Sequence, residues 1–293
     1  MGHAPHPEMV PILEQMLAPG QPDYTKMPIA EARALFARNY AVWNTPMPAV
    51  PARDVTLGGV KARVLEPPAS RGVIVFSHGG GWVFGSPDSH HRCGALLAQA
   101  TGMQVVLPDY RMAPEHPCPA AIDDVLAVIG AVRDRPLVLL GDSAGANLSL
   151  ACAIAGAPAD MLSLVYGCFA PVFDTASHRE CGGGDFGLAT ERMRWFWDQW
   201  QGSARDPRAA PLNGNLAGLP PVHMLATGLD CLRDDSILLA GRLASAGVPF
   251  RLDVMPGVVH GFLLMSSRLG PARDAIALLA REIRSTLNLG QAA

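Results

Sequence analysis

The central stretch of the chain, residues 137–149, reads LVLLGDSAGANLS. An apolar run is followed by the pattern G-x-S-x-G and then by small residues that favour a helix. A serine on a tight turn between a buried strand and a helix needs neighbours with almost no side chain, because strand and helix approach closely there. Gly141, Ala144 and Gly145 meet that need. The stretch therefore predicts a strand, a sharp turn carrying Ser143, and a helix.

Short apolar runs alternate with helix-like stretches around this point, as in a parallel sheet covered by helices on both faces. Strands are predicted at residues 73–77, 104–108, 137–141, 162–167, 222–228 and 250–255. Helices are predicted at residues 91–101, 120–133, 144–155, 234–246 and 271–287. Residues 52–65 predict one or two antiparallel edge strands that turn at Gly58 and Gly59. The predicted fold class is α/β, with a mostly parallel, doubly wound sheet.

Two regions interrupt the alternation. Residues 1–48 look helical around 29–42, and residues 173–219 contain an amphipathic pattern over 190–200. We predict an N-terminal cap segment over residues 1–48 and an α/β domain over residues 49–293, with residues 173–219 as a cap insertion. The sequence leaves open whether three tryptophans belong to this lid or simply to the core: Trp195, Trp197 and Trp200.

A second motif, HGGGW at residues 78–82, directly follows the first predicted parallel strand. The backbone N–H groups of glycines suit an oxyanion hole, because no side chain blocks the approach of the oxygen. We expect the amides of Gly80, Gly81 and Ala144 to be its donors. A phosphate-cradling loop is the alternative interpretation. It is disfavoured because the pattern G-x-x-x-x-G-K-[ST] is missing and the chain has only two lysines.

A nucleophilic serine needs a base. Outside the HGGGW motif, His260 alone follows a predicted strand, at the carboxyl edge where open α/β sheets place their sites. The remaining histidines lack that placement: His3, His6, His90, His91, His116, His178 and His223.

The acid is expected between the serine and the histidine in the chain. Asp230 follows the strand predicted at 222–228 and reaches the same edge of the sheet. Asp234 and Asp235 are typical of the acidic first turn of a helix, and they remain alternatives. In this role Asp230 would orient His260 and stabilise its imidazolium.

Other patterns are weaker. Residues 182–187 satisfy G-x-G-x-x-G but follow no buried strand, so they predict a loop in the lid rather than a dinucleotide site. His90, His91 and Cys93 lack the paired ligands of a metal site. We expect no metal and no organic cofactor.

Composition bounds the function class. The 293 residues are 49% hydrophobic and 17% charged, which excludes general disorder. The net charge of −3, with basic residues scattered along the chain, argues against nucleic acid as a ligand. No apolar run reaches the roughly 18 to 20 residues of a spanning helix, so membrane insertion is not expected. Six cysteines without C-x-x-C and an N-terminus without an export signal predict a cytoplasmic location.

Together the motifs resemble the hormone-sensitive-lipase-like branch of the α/β-hydrolases, the group that includes bacterial acetyl esterases. The resemblance covers about residues 50–290, and its motifs are HGGGW at 78–82, DYRMAPE at 109–115, GDSAG at 141–145, GLD at 228–230 and HGF at 260–262. It implies a cap and a set of site residues, here the triad Ser143, Asp230 and His260 and the oxyanion hole Gly80, Gly81 and Ala144. The sequence departs from the branch at Cys231 and Gly167, where proline is usual, which concerns the acyl pocket rather than the triad.

The resemblance implies a carboxylesterase that hydrolyses short- to medium-chain esters of small molecules through a covalent acyl-enzyme. Two alternatives are an amidase of the arylformamidase type on the same fold and a non-catalytic ligand receptor. The resemblance is also compatible with a homodimer, and no feature of the sequence favours or excludes one.

Overall fold

A computed structural model describes residues 4–132 and 134–290. Its strands are β1 (Ala52–Leu57), β2 (Val60–Leu65), β3 (Val73–Ser77), β4 (Gln104–Pro108), β5 (Leu137–Asp142), β6 (Met161–Val165), β7 (Val222–Leu229) and β8 (Phe250–Val259). The α-helices of the described residues are α1 (Val10–Met16), α2 (Ile29–Ala41), α3 (Pro87–Thr101), α4 (Ala120–Ala131), α5 (Ala144–Ile154), α6 (Ala176–Cys181), α7 (Thr190–Trp200), α8 (Arg233–Ser245) and α9 (Gly270–Thr286).

All eight strands form one sheet in the order β1-β2-β4-β3-β5-β6-β7-β8. The first two strands are antiparallel to their neighbours, and the six from β4 to β8 are parallel. The strand order reverses around β3, which has β4 on one side and β5 on the other. Ligands of open α/β sheets bind at such a switch point, outside the carboxyl ends of the strands. Both the HGGGW motif and Ser143 follow strands that end there.

The sheet is buried on both faces. In β5 the side chains alternate between two cores, with Val138 and Leu140 in one and Leu137 and Leu139 in the other, and all four are at most 1% exposed. Alternation with both faces buried explains why the strand reads as a continuous apolar run. The α/β class and the mostly parallel sheet predicted from the sequence are confirmed.

Several element ends differ from the prediction by one to four residues, among them the start of α3 and the ends of β6 and β8. Helix α3 begins at Pro87 rather than 91, because Ser86 and Ser89 exchange side-chain and backbone hydrogen bonds in a capping box. Strand β6 stops at Val165, since Tyr166 has a φ of 36° that a strand does not accept. Strand β8 continues to Val259 instead of ending at 255.

The two regions predicted as a cap contain short helices joined by irregular chain. Helices α1 and α2 lie in the N-terminal region, and α6 and α7 lie between β6 and β7. Among residues 4–132 and 134–290, no helix is long and apolar enough to cross a membrane.

Candidate active site

Ser143 occupies the one-residue turn between β5 and α5. Its φ of 55° and ψ of −121° are sparsely populated for a residue with a side chain, and such strain persists only where surrounding structure enforces it. The Ser143 amide donates to the carbonyl of Val165 at 2.8 Å, which ties the turn to the end of β6. The Oγ is thereby presented at the carboxyl edge of the sheet.

Two glycines allow the turn to form. A Cβ on Gly141 would lie 2.1 Å from the carbonyl oxygen of Gly145, and a Cβ on Gly145 would lie 1.9 Å from the carbonyl oxygen of Ser77. No side chain fits at either position, because these contacts are to backbone. The glycines therefore bring the ends of β3 and β5 and the first turn of α5 into direct contact.

The structure brings Ser143, His260 and Asp230 together in one hydrogen-bonded array. Nε2 of His260 lies 2.9 Å from Oγ of Ser143, and Nδ1 lies 2.7 Å from Oδ2 of Asp230. The serine is 7% exposed, and the histidine side chain keeps 14% of its surface accessible. An imidazole that donates from Nδ1 to a carboxylate leaves Nε2 free to accept the serine proton.

Asp230 is buried and fully engaged. Its Oδ2 also accepts from the Thr227 hydroxyl at 2.7 Å, and its Oδ1 accepts from the Leu232 amide at 2.9 Å. Burial would raise the pKa of this carboxyl, but His260 and the two other donors outweigh burial, so the pKa lies below its ordinary value. The carboxylate is held charged beside the imidazole. A register shift of β7 against β8 between Thr227 and Leu229 adjoins it.

The two alternative acids lie elsewhere. Oδ2 of Asp234 accepts from the Ser177 amide at 2.8 Å, and Oδ1 of Asp235 accepts from the Phe169 amide at 2.9 Å. Neither carboxyl hydrogen-bonds to His260. Burial raises the pKa of Asp235 to about 8, and its Oδ2 has no hydrogen-bond partner in the part of the chain that the structure describes.

The glycine loop, residues 78–84, follows β3. Gly80 and Gly81 have φ values of 121° and 62°, and the Gly80 carbonyl accepts from the amides of Val83 and Phe84 at 3.1 and 2.8 Å. The amides of Gly80, Gly81 and Ala144 donate to no acceptor within residues 4–132 and 134–290. Unpaired N–H groups in a buried turn are rare in proteins, and they are available to an oxygen of a ligand.

Asp142 and His90 are site residues that sequence reasoning missed. Oδ1 of Asp142 accepts from the Gly79 amide at 2.8 Å and lies 3.0 Å from Nε2 of His90. Burial by itself would raise the pKa of Asp142. His90 and the Gly79 amide lower that pKa by more than burial raises it, so it lies below its ordinary value and the carboxyl stays charged. The carboxylate thus joins the glycine loop to the residue before Ser143.

The signal for His90 lay in the helix start. With α3 beginning at Pro87, His90 shares a buried face with Cys93 and Leu97, at helical spacing. A helix predicted from residue 91 places this histidine in a loop instead.

The G-x-G-x-x-G pattern and two of the tryptophans lie in the region predicted as a lid. Residues 182–187 form turns between α6 and α7 and follow no strand. Trp200 is fully buried and stacks on Trp82 of the glycine loop with centroids 5.0 Å apart, and Trp197 meets the same ring edge-on at 4.9 Å. The predicted lid region is therefore packed against the glycine loop through core aromatics.

The geometry agrees with comparison to known proteins. The sequence profile of the family described as alpha/beta hydrolase fold matches residues 74–264, which is more than half of the chain. The chain belongs to the α/β-hydrolase fold family.

Several bacterial ester hydrolases are similar in sequence to this α/β-hydrolase. The ethyl acetate hydrolase of Pseudomonas putida is 31% identical over 244 residues, which cover 76% of each chain. The carboxylesterase NlhH of Mycobacterium tuberculosis is 31% identical over 300 residues, 92% of this chain and 93% of the relative. A third relative, the carboxylic ester hydrolase LipN of Mycobacterium tuberculosis, is 36% identical over 219 residues. That match covers 65% of this α/β-hydrolase but only 57% of LipN.

Solved structures show the same fold over nearly the whole chain. The hyperthermophilic esterase from the archaeon Pyrobaculum calidifontis superposes with a TM-score of 0.91 at 29% identity, covering 96% of this α/β-hydrolase and 98% of the esterase. The family match and these relatives confirm the resemblance to the hormone-sensitive-lipase-like branch.

Replacing Asp235 by asparagine should change how stability depends on pH. Between about pH 4 and pH 8 the folded chain holds a proton on Asp235 that the unfolded chain has lost, so the free energy of unfolding falls as pH rises. The slope from this group approaches about 1.4 kcal/mol per pH unit. The introduced carboxamide is neutral and its oxygen can still accept from the Phe169 amide, so Asp235→Asn should gain stability over the wild type as pH rises.

Urea unfolding at pH 5, 6, 7 and 8 measures this effect. Asp185→Asn, which alters an exposed carboxyl between α6 and α7, is the matched control. Parallel pH curves for the wild type and Asp235→Asn would contradict the assignment of a buried, protonated Asp235.

Proposed function

We propose that this α/β-hydrolase hydrolyses carboxylic esters through a covalent acyl-enzyme. The observation that carries the proposal is the array of Ser143, His260 and Asp230 beside three backbone amides without an acceptor in the described chain. The relatives named ethyl acetate hydrolase and carboxylesterase support the same reaction class.

Ser143 is the proposed nucleophile. As its Oγ attacks the ester carbonyl, Nε2 of His260 takes the proton along the existing 2.9 Å hydrogen bond. Asp230 keeps Nδ1 protonated, and its negative charge stabilises the imidazolium that forms. The tetrahedral intermediate then collapses, the C–O bond to the alcohol breaks, and Nε2 returns its proton to the leaving oxygen.

Deacylation repeats the sequence with water. The ester bond between the acyl group and Oγ is attacked by a water molecule that gives its proton to Nε2 of His260. The second tetrahedral intermediate collapses, its C–O bond to Oγ breaks, and Nε2 returns the proton to Oγ, which releases the carboxylic acid and restores the Ser143 hydroxyl. The chain's own groups supply every proton transfer, and we propose no metal or organic cofactor.

The oxyanion of both intermediates is proposed to bind the amides of Gly80, Gly81 and Ala144. Ala144 begins α5, so its amide adds the positive end of the helix dipole. Preorganised donors stabilise the oxyanion effectively because they need no rearrangement when the negative charge develops. The Asp142 carboxylate supports that preorganisation, since it fixes Gly79 at one end of the glycine loop.

The cap is proposed to consist of residues 1–48 and 173–219. The Phe196 ring of the second segment lies against Gly81, where a Cβ would be 2.1 Å from Cδ1 of the ring. From the first segment, the Tyr40 hydroxyl lies 3.7 Å from the position of a Cβ on Gly261, next to the catalytic-site histidine. Aromatic side chains from both segments thus lie beside Gly81 of the glycine loop and beside the residue that follows His260. The relative named ethyl acetate hydrolase supports short-chain esters, and we propose short- to medium-chain acyl groups as substrates.

Replacing Asp142 by alanine should lower kcat for ester hydrolysis by about 10²-fold, while KM changes little. Loss of the carboxylate frees Gly79, and loss of one oxyanion donor costs about 10²- to 10³-fold in other serine hydrolases. Asp142→Asn retains an acceptor for the Gly79 amide and should lose less than about tenfold.

Steady-state kinetics of both variants, with circular dichroism to verify folding, measures the difference. A kcat for folded Asp142→Ala within about threefold of the wild type would show that the glycine loop does not need this anchor.

The wild type should hydrolyse nitrophenyl acetate and butyrate faster than the dodecanoate. Ser143→Ala should lower kcat by roughly 10⁵-fold or more, because no other group can form the acyl-enzyme. A release assay for nitrophenol across the acyl series, run on both proteins, measures activity and the acyl-length limit together.

Ser149→Ala is the matched control, because Ser149 is a buried serine of α5, the helix that follows Ser143, and its Oγ donates to the Leu140 carbonyl. It should keep ester turnover. Ester hydrolysis by Ser143→Ala would contradict the proposal, and turnover of N-formyl amides without turnover of any ester would favour the amidase alternative.

A further inference from the structure

We propose that Arg33 of helix α2 is a positioning residue for the oxyanion hole, which it serves by holding the Val83 end of the glycine loop. The proposal rests on the ester hydrolase function proposed above. It gives the N-terminal region a part in transition-state stabilisation besides covering the site.

Arg33 uses its whole guanidinium fork. Nε donates to the Val83 carbonyl at 2.9 Å, and Nη2 donates to the Ala113 carbonyl at 2.8 Å. Both terminal nitrogens also bind the Glu115 carboxylate, at 2.8 and 2.7 Å. The Arg33 side chain is only 28% exposed. A planar fork meets these fixed acceptors at once, whereas the single ammonium of a lysine does not.

Val83 is mechanically linked to the proposed oxyanion donors. Its amide donates to the Gly80 carbonyl at 3.1 Å, so Gly80 and Val83 close one tight turn. The neighbouring Trp82 carbonyl accepts from the Ala113 amide at 3.0 Å. Arg33 therefore binds both segments of chain that the hydrogen bond between Trp82 and Ala113 joins. A shift of the Val83 carbonyl moves the turn that carries Gly80 and Gly81.

Helix α2 also contacts the loop through an apolar side chain. Phe36, one turn after Arg33, stacks on Phe84 with ring centroids 5.3 Å apart and an interplanar angle of 18°. Side chains three positions apart lie on the same helix face. Helix α2 thus packs on the glycine loop through a polar contact to Val83 and an aromatic contact to Phe84.

The loop needs such external supports. Gly80 and Gly81 have positive φ values and wide conformational freedom, and Trp82 has a φ of 62° that is unusual for a residue with a side chain. Asp142 fixes the loop at Gly79, and the Phe196 ring fills the space beside Gly81. Arg33 is the corresponding support at the far end. Without it, the donors lose the preorganisation on which oxyanion stabilisation depends.

The test compares Arg33→Ala and Arg33→Lys with Arg38→Ala, which removes an exposed arginine from the same helix. We expect kcat for nitrophenyl butyrate to fall about 10- to 100-fold in both Arg33 variants, as for a small misplacement of catalytic groups. KM should stay within about threefold, and Arg38→Ala should resemble the wild type. Added ethylguanidinium should restore part of the kcat of Arg33→Ala and leave Arg38→Ala unchanged.

A second readout reports on the oxyanion hole directly. A trifluoromethyl ketone forms a tetrahedral adduct with the nucleophilic serine, and its inhibition constant should rise by the same factor as kcat/KM falls. Glu115→Gln removes the ion pair but leaves Arg33 its carbonyl contacts, so this variant should keep at least about a third of the wild-type kcat.

Reduced thermal stability of Arg33→Ala with kcat and the inhibition constant within about twofold of the wild type would overturn the proposal, because Arg33 would then only anchor α2. If Arg33→Ala does not fold, the same criteria apply to Arg33→Lys. A wild type that hydrolyses no ester would refute the proposed function instead, so the two failures are distinguishable.

Discussion

The contact between Gly145 and the carbonyl of Ser77 leaves no room for even a methyl group, and the site depends on this close approach. It brings the first turn of α5 against the end of β3, so that the Ala144 amide and the glycine loop flank Ser143. Strands β3 and β5 are neighbours at the switch point of the sheet, which is why residues 78 and 143 can meet. A side chain at position 145 would push the first turn of α5 away from the end of β3 and so move Ser143 away from the glycine loop.

Three buried carboxyl groups near the site show how hydrogen bonding decides charge. Asp142 and Asp230 each accept from a backbone amide and face an imidazole, and their pKa values lie below the ordinary range despite burial. Burial prevails at Asp235, which leaves one oxygen unpaired within the described chain and feels the charge of Asp230, so its pKa is raised. The two ionised groups hold the glycine loop and His260, respectively. The third fastens the chain after β6, where a neutral hydrogen-bonding group suffices.

Local sequence patterns predicted the parts of the molecule that local chemistry determines. The apolar run before Ser143, the glycines around it and the glycine-rich motif after β3 led to the strands, the turn and the candidate residues, because turn geometry and burial restrict which residues fit. The bonds from Arg33 to Val83 and from Gly79 to Asp142 join residues 50 and 63 positions apart, and no local pattern fixes such pairs. The early start of α3 depended on a capping box of two serines, and missing it concealed His90.

Labelling with diethyl nitrophenyl phosphate tests the central claim, that Ser143 is a nucleophile activated by His260. The serine attacks phosphorus, nitrophenolate leaves, and a stable diethylphosphoryl ester remains on Oγ. Intact-protein mass spectrometry with peptide mapping should find one diethylphosphoryl group on the peptide that contains Ser143. Ser143→Ala should stay unlabelled, and His260→Ala should react far more slowly. A label on another residue, or equal labelling of the wild type and Ser143→Ala, would contradict this assignment of the active site.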